Sequence, residues 1–193
     1  MGKLFPSSYG GGFQRWLHSD YPMPYNSYGN GAGMRISPVA YAARNESELE
    51  RLVYAATVPT HNHSEGIKGA QAIAHCVWMA KNGAGKWAIE NYAANEYSID
   101  LDLNELRKTN EFDETCQVTV PQAIRCFLDS DSYEDAIRNA ISTGGDSDTI
   151  AAMTGSIASA YYGMPTEIEA ETKKRLPPLF LQIIERFENI YCN

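Results

Sequence analysis

Ile141-Ser142-Thr143-Gly144-Gly145-Asp146-Ser147-Asp148-Thr149-Ile150 is the stretch on which the reading of this chain turns. Asp146, Asp148 and Thr149 stand at i, i+2 and i+3 directly after the paired glycines. Ala151, Ala152, Met153, Gly155, Ile157 and Ala158 come next, all apolar or small. Glycines permit a sharp bend and a close approach to a ligand, so the stretch predicts a tight turn that delivers the chain into a buried helix. Two chemistries suit the turn. Oxygen donors packed this closely fit a hard cation such as Mg²⁺, which makes Asp146, Asp148 and Thr149 candidate metal ligands. The same residues suit an ordinary helix start, with Asp146 as N-cap and Asp148 favoured by the helix dipole.

Helical patterns extend outward from this turn in both directions. Upstream, Ser132 with Asp135 opens a helix bearing Tyr133, Ala136, Ile137, Ala140 and Ile141. Downstream, the helix after Asp146 is expected to end near Gly163 and Pro165. Pro177-Pro178 then breaks the chain before a final amphipathic helix over Leu179 to Tyr191, with Phe180, Ile183, Ile184 and Phe187 inward. Thr119 and Pro121 make a helix opening, continued by Ala123, Ile124, Phe127 and Leu128. Glu114 to Val120 has some β character but is too isolated for a sheet. Asp102 caps a short helix with Leu103 and Leu106, and Trp87 to Tyr97 forms another. Ser64 is expected to cap a helix with Ile67, Ala70, Ala74, Val77 and Trp78 on its core face and Gly83 as its stop. Asn45 and Glu48 resemble a capping box ahead of the stripe Leu49, Leu52, Val53 and Ala56. Phe13 to His18 reads as a short helix, and Ser19 to Gly33 as a loop long enough to be a binding loop. Met1 to Gly12, with Pro6 and a triple glycine, reads as an irregular entry. The pattern specifies an all-α, single-domain compact helical bundle over residues 1–193.

Bulk properties exclude several function classes. A chain of 193 residues fits one domain with a sizeable core. With 44% hydrophobic and 21% charged residues it reads as an ordinary globular sequence. A net charge of −8 argues against nucleic acid and against anionic membranes as partners. Any anionic ligand must then be held by local donors. The four cysteines, Cys76, Cys116, Cys126 and Cys192, form no zinc or redox motif; Cys76 and Cys126 lie in apolar helical contexts and are expected to be buried thiols. With no signal pattern and no membrane-spanning run, the expected location is cytoplasmic.

Two further stretches carry candidate chemistry. Asn26-Ser27-Tyr28-Gly29-Asn30-Gly31-Ala32-Gly33 precedes a buried segment. Backbone N–H groups in such a turn make an anion nest; Ser27 and Asn30 add donors, and Tyr28 offers an aromatic face for a base. The alternative is a solvent loop whose glycines satisfy turn geometry alone. Thr60-His61-Asn62-His63-Ser64-Glu65-Gly66 holds two histidines at i, i+2 without a third ligand, so a metal site there is disfavoured. His61 fits a ligand or loop contact, and His63 a structural role. Lys68, Arg35 and Arg138 lie near motifs and read by default as surface or ion-pair groups. No serine or cysteine nucleophile motif is present.

These three motifs, in this order, resemble the ADP-ribosylglycohydrolase family, with the resemblance strongest from Tyr9 to Gly163. It implies an all-helical fold, a pair of Mg²⁺ ions and a cleft for ADP-ribose. It also implies ligand contacts at Ser27, Tyr28, Gly29, Asn30, Gly31, His61, Gly144 and Gly145, and metal contacts at Asp146, Asp148 and Thr149. Family members also carry an N-terminal Gly-Asp motif and a Thr-Asp-Asp-Thr-type motif supplying about half of the metal ligands. Neither occurs here, and Ser64 replaces the proline of the family's Thr-His-x-His-Pro. The chain therefore reads as an N-terminally shortened relative that binds an ADP-ribose-type nucleotide with one Mg²⁺ or none, hydrolyses it slowly or not at all, and covers its exposed core as a homo-oligomer. The alternatives are a hydrolase completed by another chain, and an inert or structural subunit.

Overall fold

The structure, a computed structural model, describes residue 3 and residues 9–192, so most of the irregular entry expected over residues 1–12 lies outside the described residues. Among the described residues twelve helices follow one another: α1 (Gly11–His18), α2 (Gly31–Met34), α3 (Ser37–Ala42), α4 (Glu46–Thr57), α5 (Ser64–Lys81), α6 (Lys86–Glu96), α7 (Leu103–Thr109), α8 (Cys116–Leu128), α9 (Tyr133–Ser142), α10 (Ser147–Tyr162), α11 (Thr166–Lys173) and α12 (Pro178–Tyr191). There is no strand among the described residues, only one isolated antiparallel bridge between Gly29 and Thr115. The all-α expectation is met.

α5 is the central element, touching α2, α3, α4, α6, α8 and α10. Its sequence explains this position. Gly66, Gly69, Ala70, Ala72, Ala74 and Ala80 are buried alongside Ile73 and Val77, so neighbouring backbones come close around most of its circumference. At Gly69 a Cβ would lie 2.6 Å from Cys116 Sγ of α8, and at Gly33 of α2 it would lie 2.7 Å from Met153 Sδ of α10. Larger side chains from the neighbours fill the remaining space: Phe127 and Ile124 from α8, Ile150, Met153 and Ile157 from α10, Leu49 and Val53 from α4. Each fully buried aliphatic or aromatic side chain contributes on the order of 1.5–3 kcal/mol. Cys76 and Cys126 are buried thiols as expected, and burial pushes both up to about 12.

The caps show where local chemistry governs. Asn45 accepts from Glu48 N at 2.9 Å, Asp102 from Asn104 N at 2.7 Å and Ser132 from Asp135 N at 3.1 Å. Gly83 and Gly163 end α5 and α10 with φ of 80° and 84°, a region favouring glycine. Four expectations need correction. His63, not Ser64, caps α5: its Nδ1 accepts from Glu65 N at 3.1 Å. α8 begins at Cys116 and carries Pro121 inside it, so Thr119 and Pro121 do not open it. Pro121 has no N–H for the Gln117 carbonyl, but Gln117 is exposed and water can satisfy that oxygen. Thr119 instead donates to Thr115 O at 2.7 Å. The β character of Glu114 to Val120 is reduced to the Gly29–Thr115 bridge.

The fourth correction concerns the C-terminal segment. α11 forms over Thr166–Lys173, a stretch without an apolar stripe, for which periodicity predicts no element. α12 forms where the prolines predict it, yet none of its residues is buried, and Ile183, expected inward, is 48% exposed. Phe180, Ile184 and Phe187 are only partly covered. Lys173 pairs with Glu169 within α11 and reaches Glu188 of α12.

Candidate functional site

The glycine loop is fastened on two sides before it reaches α2. Asn26, at φ 56°, donates through its N–H to Asn62 Oδ1 at 2.6 Å, and Ser27 N donates to Thr60 O at 3.4 Å. On the other side Asn30 N donates to Glu114 O at 2.7 Å, Cys116 N to Tyr28 O at 2.9 Å, and Cys116 Sγ to Gly29 O at 3.2 Å. Within the loop, Ser27 Oγ accepts from Gly29 N at 3.2 Å. The Thr60–Asn62 segment, the Glu114–Cys116 segment and the loop thus form one rigid frame.

Asn30 joins this frame to the Gly-Gly-Asp turn. Its side chain is 6% exposed and donates from Nδ2 to Asp146 Oδ2 at 2.6 Å, across 116 positions of sequence. Gly144 and Gly145 adopt φ of 73° and 62°, which makes the tight turn expected of them. A Cβ on Gly145 would lie 2.8 Å from Asn110 Nδ2. Asp146 does occupy the N-cap position of α10, but its side chain makes no capping bond; the carboxylate is directed to Asn30. Burial raises the Asp146 pKa, the Asn30 hydrogen bond opposes that, and the neighbouring Asp148 carboxyl raises it again. Asp148 is exposed, and Thr149 Oγ1 donates to Met34 Sδ at 3.8 Å.

His61 completes the group and is 5% exposed. Thr60 Oγ1 lies 2.7 Å from its Nδ1 and Arg35 Nη2 lies 3.2 Å away. Burial first, and the Arg35 charge second, push its pKa down to about 4, so the ring is neutral at physiological pH. Burial also lowers the Arg35 pKa and raises that of Tyr25, whose ring lies 6.2 Å from the His61 ring.

A cleft of about 520 Å³ opens against this frame. Ser27, Gly29, Asn30, Gly31 and His61 line it. Its remaining wall comes from Tyr9 to Phe13, Tyr25, Met34, Arg35 and Glu114. Tyr28 points elsewhere: it is 46% exposed and packs on His63 at 5.1 Å between ring centres. Gly144, Gly145, Asp146, Asp148 and Thr149 lie beyond Asn30 and do not line the cleft. The aromatic faces it offers are Tyr9, Phe13 and Tyr25. Arg35 lay beside a motif in the sequence, yet nothing local distinguished it from a surface cation; its role depends on Thr60 and His61. Among the described residues no group of three or more His, Cys, Asp or Glu side chains gathers as a metal site.

The sequence profile of the ADP-ribosylglycohydrolase family matches residues 5–191. The chain belongs to that family. It is 29% identical over 186 residues to human ADP-ribosylhydrolase ARH3, covering 72% of this chain and 51% of that protein. It is 26% identical over 157 residues to the ADP-ribosyl-[dinitrogen reductase] glycohydrolase of Rhodospirillum rubrum, covering 79% and 53%. A solved structure described as an ADP-ribosylglycohydrolase-related protein complex superposes with a TM-score of 0.64 at 26% identity, covering 80% of this chain and 59% of that one. The chain spans about half the length of the curated relatives it matches. The family match also extends beyond the Tyr9 to Gly163 stretch that carries the motifs, through α11 and α12.

Proposed function

We propose that the cleft binds an ADP-ribose-type nucleotide, and that this chain by itself hydrolyses ADP-ribosyl bonds slowly or not at all. The observation that carries the reading is the Asn30–Asp146 hydrogen bond. It couples the loop that lines the cleft to a carboxylate turn, so a diphosphate bound against the loop would lie next to a cation held by the turn. The neutral His61 ring adds a donor to the cleft, and Phe13 and Tyr25 add apolar faces for a base or ribose. Asp146, Asp148 and Thr149 offer oxygen donors only, which suits Mg²⁺. The neighbouring Asp148 carboxyl disfavours the charged form of Asp146, and a cation would relieve that repulsion. Three such donors hold one ion incompletely and leave a pair under-neutralised. When bound, the ion would supply charge neutralisation for a diphosphate or a ribose diol. Asn30 orients Asp146 for it.

The competing reading is an active Mg²⁺-dependent hydrolase whose remaining ligands come from another chain; the names of the relatives favour it. Calorimetry with ADP-ribose, with and without Mg²⁺, tests binding, and chromatography of several ADP-ribosylated substrates tests turnover. The expected result is saturable binding without multiple turnovers. The Asp146→Ala/Asp148→Ala variant should lose any Mg²⁺ dependence of binding while metal-free binding persists. Multiple turnovers by the purified chain that vanish in that variant would overturn the reading and establish the hydrolase.

A further inference from the structure

Two side chains decide what the His61 ring can do. Arg35 Nη2 donates to Thr60 Oγ1 at 2.6 Å and lies 3.2 Å from His61 Nδ1, while Thr60 Oγ1 lies 2.7 Å from the same nitrogen. A guanidinium has five donors, no lone pair to offer, and does not deprotonate in proteins. Its approach therefore requires Nδ1 to accept. The Thr60 hydroxyl, already accepting from Arg35, turns its own hydrogen toward Nδ1. With that lone pair engaged, the ring proton resides on Nε2. Nε2 faces the opposite way, onto the glycine loop: Cβ atoms built on Gly31 and Gly29 would lie 3.6 and 3.8 Å from it.

We propose that Arg35 is a positioning residue which, together with Thr60, locks His61 as the neutral Nε2–H tautomer and so gives the cleft one fixed hydrogen-bond donor aimed at a ligand oxygen beside Gly29 and Gly31. The ligand half of this statement rests on the reading of the cleft as a nucleotide site; the tautomer half does not. The chemistry selects acceptor atoms, such as phosphate or carbonyl oxygens, at that point. A protonated ring would turn an Nδ1–H toward the guanidinium, placing donor against donor and charge against charge. The charged or titratable groups around the ring are Arg35 from the turn after α2 and Tyr25 from the entry loop, with Glu114 on the cleft wall. Arg35 sits close enough to oppose protonation directly, and burial acts in the same direction.

The test uses the full chain labelled with ¹⁵N. Long-range proton–nitrogen spectra should show His61 as a single Nε2–H tautomer from pH 5 to 8. In Arg35→Met the ring should become a tautomer mixture and titrate nearer the ordinary histidine value. Thr60→Val, which keeps volume, should also admit the Nδ1–H form and serves if Arg35→Met does not fold. Calorimetry with ADP-ribose at pH 7 adds the functional arm. Arg35→Met should weaken binding about tenfold, the scale of one misdirected hydrogen bond, but should add little further loss in a His61→Ala background. An unchanged His61 tautomer and titration in both variants would overturn the lock. Fully additive losses would overturn the positioning role and make Arg35 a direct ligand contact. Absence of ADP-ribose binding by the unmodified chain would sink the nucleotide reading, while the spectra would still decide the tautomer.

Discussion

Gly66 invites a substitution whose sign separates local propensity from packing. It occupies the third position of α5, where alanine is favoured over glycine by up to about 1 kcal/mol. A reading of the helix alone therefore predicts that Gly66→Ala stabilises the protein. The structure predicts the opposite. A Cβ at this position would stand 2.6 Å from the Ser27 carbonyl oxygen and 3.1 Å from His61 Cβ. The Ser27 oxygen is backbone, and its segment is tied down by Ser27 N on Thr60 O and by Asn26 N on Asn62 Oδ1. It cannot swing aside as a flexible side chain does. Overpacking of this kind costs about 1–3 kcal/mol, so the net effect is destabilisation by about 1–2 kcal/mol. In a chain of this size that lowers Tm by roughly 2–8 °C. Relief comes by pushing Ser27 outward, which displaces the glycine loop, so ADP-ribose binding should fall more than tenfold. Thermal denaturation and calorimetry measure both. Gly155→Ala in α10 is the control: its Cβ would meet Ile137 Cδ1 at 2.8 Å, the movable end of a side chain, and neither Tm nor binding should change much. A Gly66→Ala protein with raised Tm and unchanged affinity would refute the packing argument.

Three further outcomes are expected. Asn30→Ala removes the donor to Asp146 and should destabilise the protein and weaken ADP-ribose binding by about 1–3 kcal/mol; unchanged affinity by calorimetry would separate the loop from the site. His61 has its folded-state pKa depressed from 6.5 to about 4, so its contribution to stability is fully present above pH 6.5 and is lost as pH falls toward 4, by at most about 3 kcal/mol. Urea unfolding over that range should show this slope, and His61→Asn should flatten it. Leu179, Ile183, Ile190 and Tyr191 leave apolar surface on α12, and light scattering at micromolar concentration should detect a dimer or larger assembly that Ile183→Glu disrupts; a monomer in the unmodified chain counts against this.

What could be read from the sequence was what local chemistry decides. The Asn45, Asp102 and Ser132 caps, and the Gly83 and Gly163 stops, each depend on atoms within a few residues. So does the Gly144-Gly145 turn. The errors arose where a partner comes from far away or a rule has competitors. His63 out-competes Ser64 as a cap because its Nδ1 reaches Glu65 N. Thr115 is extended because it pairs with Gly29, while Cys116, already the first residue of α8, gives its N–H to Tyr28 O; neither partner is near in sequence. Arg35 could not be distinguished from a surface cation without Thr60 and His61. Tyr28 offers the right chemistry for stacking a base, but its ring packs on His63, outside the cleft.

The hydrogen bond between Asn30 and Asp146 joins positions 116 apart, and the cleft beside it draws on residues near 10, 30, 61 and 114. No single helix or hairpin of the chain contains a working fraction of it. Contacts of such sequence separation close late, after the loops between them have been ordered. The cleft therefore assembles only with the whole body of the protein, and partly folded forms lack it. A ligand bridging its walls then acts as a cross-link present only in the native state, raising the unfolding temperature with its concentration.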